Sequence, residues 1–303
     1  MINARPVLPE FEYIQPKTAE EAIRFLKNNP GHSCPFMGGT DCFITMRDRR
    51  ISPNYLVDLK HLNGFNVLSF DKKQGLTIGA AVNLNRLIAS PLVQLHYPLI
   101  AAASREVGSY QLRTRATLVG NLCNASPCGD TIAPCLVYKA SVNILGSAGQ
   151  RKLMLADFFT GPGETVLKVG EIVQSVDLPL PPAGAEGTYL SIGRNALGDL
   201  AIASVTVLGF ADRSTSSGYR FHIALTAVAP TVIFVEQAQQ LMAERPINEQ
   251  VLEKAAEIAS GSCKPIDDIR ASARYRREMV RTLTHRALQE VCAALQEKNL
   301  MEI

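Results

Sequence analysis

The chain has 303 residues, 47% hydrophobic and 19% charged, which excludes a polar disordered segment and leaves room for two or three cores. Its formal net charge of +3 is spread along the chain and gives no basic arm of the kind that grips nucleic acid. Its seven cysteines are odd in number and lack a Cys-x-x-Cys pair, which argues against a disulfide framework and for reduced thiols.

Residues 1–16 hold three prolines, two glutamates and no apolar core of a secretory signal. The first helix starts at the capping box Thr18-Ala19-Glu20-Glu21, takes its apolar side from Ala22, Ile23, Phe25 and Leu26, and ends at Asn28-Asn29-Pro30. A short apolar run then meets Gly38-Gly39-Thr40, followed by an amphipathic segment over 42–49 and a strand over 55–59. Segments 67–70 and 76–81 form a hairpin around a 71–75 turn. Residues 83–107 read as helical and 108–130 as a long irregular polar stretch. A helix over 132–138, a strand over 140–145 and an alternating strand over 172–180 come next.

Pro181-Pro182, with Gly184 and Gly187, marks a domain boundary. Domains over 1–182 (subdomains about 1–60 and 61–182) and 183–303 are therefore expected. Beyond the boundary, strands over 200–210 and 219–229 precede helices over 235–244, 248–260 and 272–297, so both parts read as α+β. The longest apolar run, 223–235, is too short to span a bilayer and contains Pro230; a soluble cytoplasmic protein is expected. Six arginines within 270–286 sit on a helical pattern and read as a solvated helix face rather than a nucleic-acid patch.

The usual chemical signatures are missing. There is no P-loop, and Gly161-Pro162-Gly163 lacks the third glycine and the helix of a dinucleotide fingerprint. The five histidines lie far apart, and Cys123, Cys128 and Cys135 match no standard cluster spacing, so no metal ligand is assigned. Two loops remain. Phe36-Met37-Gly38-Gly39-Thr40-Asp41 leads from a strand into a helix; its glycines allow close approach of backbone N–H groups to a phosphate, with Thr40 as helix cap. The same pattern also fits a plain strand–turn–helix corner. The stretch from Arg113 through Thr117-Leu118-Val119-Gly120-Asn121 to Asp130 reads equally as a binding loop or a surface loop. Together they suit a long ligand carrying two phosphates.

These residues resemble the flavoprotein subunits of the xanthine dehydrogenase and carbon monoxide dehydrogenase family of molybdenum hydroxylases. The likeness rests on Met37-Gly38-Gly39-Thr40-Asp41, Thr117-Leu118-Val119-Gly120-Asn121, Ile78-Gly79-Ala80-Ala81, Gln111-Leu112-Arg113 and Asn124-Ala125-Ser126-Pro127 with Asp130. It extends to Gly193-Arg194 with Asp199 and to Ile266-Asp267-Asp268-Ile269-Arg270 and Tyr275-Arg276-Arg277. The resemblance implies a two-part FAD-binding domain of the vanillyl-alcohol-oxidase (PCMH) type, then a C-terminal α+β domain like that of carbon monoxide dehydrogenase flavoproteins. It implies FAD contacts at Phe36, Met37, Gly38, Gly39, Thr40, Asp41, Thr117, Gly120 and Asn121. Asp130 would meet a cofactor hydroxyl, Val107 would lie beside adenine or the ring, and Ile172 and Val173 near the isoalloxazine. It also implies an electron-transfer role between a [2Fe-2S] small subunit, a molybdopterin large subunit and an acceptor such as NAD or quinone, with no catalytic side chain on this chain. Alternatives are a stand-alone flavin oxidoreductase or an FAD-free scaffold. Two positions depart from the family pattern: Val119 stands where relatives often have glycine, and Ser191 where they often have lysine.

Overall fold

The computed structural model describes residues 7–195 and 198–301, with side chains through 298. Residues 1–6 of the stretch read above for a leader lie outside the described residues. In chain order the first elements are β1 (Glu12–Ile14), α1 (Ala19–Asn28), β2 (Ser33–Phe36), α2 (Cys42–Arg47) and β3 (Tyr55–Asp58). The three strands form a parallel sheet in the order β1-β3-β2. Helix α1 starts as the sequence predicts, with Thr18 accepting from the Glu21 N–H. The return bond of the box goes one residue further back: the Glu21 carboxylate accepts from the Lys17 N–H rather than from Thr18. Ala22, Ile23 and Leu26 are the buried face.

Next come β4 (Leu68–Asp71), β5 (Gly75–Gly79), α3 (Leu84–Ala89), α4 (Pro91–His96), α5 (Pro98–Glu106), α6 (Tyr110–Arg113), α7 (Leu118–Asn124) and α8 (Ile132–Val137). They are followed by β6 (Ser141–Gly146), β7 (Gly149–Met154), β8 (Phe159–Gly161), β9 (Glu164–Thr165) and β10 (Ile172–Leu178). The order β4-β5-β10-β6-β7 makes an antiparallel sheet, and β8-β9 a small ribbon. The predicted helical region 83–107 is three helices, because Pro91 and Pro98 each open a new one at its first turn.

The irregular stretch expected over 108–130 is a correction. It contains α6 and α7, each begun by a side-chain cap: Ser109 accepts from the Leu112 N–H and Thr117 from the Gly120 N–H. Helix α7 buries Leu118, Val119 and Leu122, so packing outweighs the low helix propensity of Gly120 and the asparagines.

The last part holds β11 (Glu186–Ile192), β12 (Ala203–Ala211), β13 (Tyr219–Thr226), β14 (Ile233–Phe234), α9 (Glu236–Glu244), α10 (Glu249–Gly261) and α11 (Ala273–Met301). Its strands form an antiparallel sheet in sequence order. The period of two divides β12 and β13 between two environments. Ala203, Val205 and Val207 with Phe221, Ile223 and Leu225 pack under the C-terminal helices, whereas Leu208 and Ala224 join the core of the first domain. Two polar pairs lie on that second face: the Ser204 and Thr226 hydroxyls bond each other, and His222 Nδ1 lies 2.8 Å from the Val137 carbonyl. The architecture is α+β in two domains, and among the described residues no helix is long and apolar enough to cross a membrane.

The arginine cluster needs one revision. Arg276 does not face solvent: it is 2% exposed and donates to the carbonyls of Ile202 (2.7 Å) and Ala227 (3.0 Å) and to Asp268 (2.8 Å). A run of arginines cannot show which one turns inward.

Candidate functional site

The first loop begins where β2 ends. Phe36 is 4% exposed and closes a small cluster with Met46 and Leu56. Its ring packs against Phe43 at 5.2 Å and Tyr13 at 6.0 Å, with the Lys60 ammonium 4.5 Å above it. Phe36 therefore props the loop from below, and its side chain serves the core.

The glycines above it have no slack. A Cβ on Gly38 would overlap the carbonyl oxygen of Arg115 and stand 2.9 Å from its carbon, so the two loops touch backbone to backbone here. Gly39 sits at φ +77°, in the left-handed region, over the Phe36 ring. Through this turn the N–H groups of Gly38, Gly39, Thr40 and Asp41 donate to no acceptor among the described residues. Gly38, Gly39 and Thr40 are half-buried and Asp41 is exposed at the start of α2, so these donors stand open to an acceptor from outside the chain. Thr40 is not the helix cap that the sequence suggested. Asp41 occupies that position, in helical geometry and without a side-chain cap, and the Thr40 hydroxyl points to the Asp41 carboxylate at 3.4 Å.

The facing wall comes from α7. Thr117 spends its hydroxyl oxygen on the Gly120 N–H at 2.9 Å. The Asn121 side-chain oxygen accepts from Thr131 at 2.7 Å, which fixes the amide. Val119 is 3% exposed and packs in the main core, and it also borders the cavity between the walls, so the residue that departs from the family pattern stands between core and cavity.

These walls enclose a cavity of about 580 Å³, in the range of small-molecule sites. Every position carried over by resemblance, from Phe36 to Asp41, Val107, Thr117, Gly120, Asn121, Asp130, Ile172 and Val173, lines it. Part of the lining is apolar: Val107 follows α5, and Ile172 and Val173 open β10, where a bulge between Val173 and Ser175 turns the strand. Sequence reasoning missed Cys34, Cys42, Leu167 and Glu171 as lining residues. Leu167 and Glu171 flank a strand start and carry no local motif; only tertiary folding brings them here.

Asp130 sits where the domains meet. It is 8% exposed, and its Oδ1 accepts from the Tyr189 hydroxyl on β11 at 2.8 Å. Burial pushes its carboxyl up to about 6, more than the Tyr189 hydrogen bond lowers it. Asp130 also borders an adjoining cavity of about 280 Å³ lined by Glu106, Ser191, Arg194 and Asp199. There Arg194, which lines the cavity with Ser191, is clasped by Asp199 through contacts of 3.1 and 3.2 Å, so its charge is already countered. Of the clustered cysteines, Cys135 is fully buried, and Cys128 takes a 3.7 Å contact from Arg270 Nη1.

Comparison with known proteins matches this geometry to a family. Residues 9–181 fit the family model described as the FAD binding domain in molybdopterin dehydrogenase. Residues 188–291 fit the carbon monoxide dehydrogenase flavoprotein C-terminal domain. The carbon monoxide dehydrogenase medium chain of Hydrogenophaga pseudoflava is 30% identical, over 94% of this chain and 98% of that one. A putative xanthine dehydrogenase FAD-binding subunit of Escherichia coli is 29% identical over 93% and 96%. The solved carbon monoxide dehydrogenase of Hydrogenophaga pseudoflava superposes with a TM-score of 0.90 at 29% identity, covering 95% of this chain and 99% of that chain.

Proposed function

The chain belongs to the family of FAD-binding subunits of molybdopterin dehydrogenases, and we propose that it is the electron-transfer flavoprotein of a three-part molybdenum hydroxylase. The observation that carries this reading is the row of four unpaired amides, Gly38 to Asp41, facing Gly120 and Asn121 across one cavity. Backbone donors without side chains above them suit a diphosphate, which brings charge but needs close approach. In this reading Gly38, Gly39, Thr40 and Asp41 hold the diphosphate, while Thr117, Gly120 and Asn121 supply the opposite wall. Val107, Ile172 and Val173 exclude water from the ring end.

Bound FAD supplies two-electron redox chemistry, here between [2Fe-2S] clusters of a small subunit, fed by a molybdopterin large subunit, and an acceptor such as NAD or a quinone. The side chains of this protein place and insulate that chemistry, and none is assigned as nucleophile, acid or base. Asp130 holds a proton at its carboxyl more readily than an exposed aspartate, so a neutral donor or a charged acceptor is available beside the cavity near pH 6. The division between the domains is proposed at Pro181-Pro182, after β10 has ended and before β11 begins.

The test is reconstitution. The purified chain, incubated with FAD and desalted, is expected to retain one flavin per chain with a protein-shifted absorbance spectrum. Folded protein that stays colourless refutes the reading. Co-purification with iron–sulfur and molybdenum subunits tests the assembly separately.

A further inference from the structure

Two thiols bracket the first loop. Cys34 lies on β2, Cys42 is the first residue of α2, and between them lies the turn, Gly38 to Asp41, whose amides are unpaired. Their sulfurs are 4.0 Å apart, and both residues are partly exposed and line the cavity. A disulfide needs a separation of about 2.05 Å, so bonding must draw the two sulfurs together by about 2 Å. The other cysteines have no such partner among the described residues.

We propose that Cys34 and Cys42 form a reversible disulfide that closes the cofactor loop and weakens FAD binding. The inference rests on the FAD reading of this cavity. The bond forms by exchange with a small-molecule disulfide such as oxidised glutathione. The Cys42 thiolate attacks one sulfur and expels a thiolate, leaving a mixed disulfide. Cys34 then attacks Cys42 Sγ, giving up its proton as it does so, and expels the second. The protein dithiol is oxidised, the small disulfide is reduced to two thiols, and the two protons pass to the released thiolates. The two cysteines are suited to unequal roles. The hydrogen bond from Cys34 favours the thiolate of Cys42, while that contact and burial keep Cys34 protonated.

Closure acts on the loop because the loop has nowhere to yield. Gly38 is wedged against the Arg115 carbonyl and Gly39 against the Phe36 ring. Drawing Cys42 toward β2 therefore re-aims the amides of Gly39, Thr40 and Asp41 rather than being absorbed elsewhere. Reduction restores the open cradle, so flavin loading follows the thiol–disulfide state of the surroundings.

The full-length, FAD-stripped chain would be treated with oxidised glutathione and digested without reductant for mass spectrometry. A Cys34–Cys42 linked peptide, lighter by two hydrogens and removed by dithiothreitol, is expected. The oxidised chain should bind FAD at least tenfold more weakly than the same sample after reduction. In Cys34→Ser, compared with its own reduced state, glutathione adds to Cys42 and forms no internal link. Absence of the linked peptide overturns the proposal, and so does a linked chain whose FAD affinity stays within threefold of the reduced one. A reduced chain that binds no FAD would instead refute the functional reading while leaving the linkage result standing.

Discussion

Replacing Gly38 by alanine tests the contact between the two loops directly. The new methyl overlaps the Arg115 carbonyl oxygen and would sit 2.9 Å from its carbon, whereas carbon contacts settle near 3.5 Å. The loops must part by about 0.6 Å or more. An amide bond of ordinary length, near 2.9 Å, then stretches to about 3.5 Å and is lost. Hydrogen bonds to a charged acceptor contribute about 1.5–3 kcal/mol each, so losing two costs about 3 kcal/mol or more. That corresponds to roughly a hundredfold rise in the FAD dissociation constant. Titration followed by flavin fluorescence would measure it, with circular dichroism to establish folding. Gly261→Ala is the control: nothing lies within 4 Å of its added carbon, so FAD affinity should stay unchanged. A folded Gly38→Ala protein binding FAD within threefold of the parent would show that the loop contact does not set the diphosphate site.

Arg276→Met strands two buried carbonyls and removes one of the partners of Asp268, so a loss of about 3 kcal/mol is expected. Differential scanning calorimetry should show a midpoint lower by roughly 6–12 °C, and a fall under 2 °C would contradict the buried role. In flavin-free protein, Asp130→Asn removes a carboxyl whose folded pKa of about 6 exceeds its ordinary 3.8. Native protein holds that proton more tightly than unfolded chain, so the parent loses stability as pH rises from about 4 to 6, by about 3 kcal/mol in all. The advantage of the asparagine variant should therefore grow across that window and level off above it; a pH-independent difference would refute the assignment. Val119→Gly should destabilise the fold by about 2 kcal/mol or more, because the side chain packs in the core, and that loss should exceed any loss of FAD binding energy at the cavity it borders. A large affinity change without destabilisation would place Val119 against the ligand instead.

What could be read from the sequence was whatever carries a local physical signal. Helix α1 was visible because Thr18 and Glu21 announce its start and its apolar residues share one face. The Gly38-Gly39 turn was visible because only glycine tolerates both the crowding and the positive φ there. Strand β7 was not, since Gly149–Met154 is a charged, largely exposed edge strand with no hydrophobic alternation to betray it. Strand β11 was hidden for a similar reason: its half-buried residues are ordered by pairing with β12 along their whole length. Helix α7 shows the reverse failure. Its polar composition reads as loop, yet Thr117 and three buried side chains make it a helix. In the cavity, the glycine loop and Asp130 were found by motif and resemblance. Leu167 and Glu171 were not, because nothing in the order of residues records that the approach to β10 lines the cavity.

The short run from Ser126 to Asp130 does two jobs at once. Its Pro127 carbonyl accepts from the Ala227 N–H at 2.7 Å, Cys128 meets Arg270, and Asp130 holds Tyr189. Ser126, Cys128, Gly129 and Asp130 also line the cavity. The fastening between the domains and the pocket lining are thus one strip of backbone. Strain applied to either is delivered to the other, so an empty pocket and a filled one should brace the halves of the molecule differently.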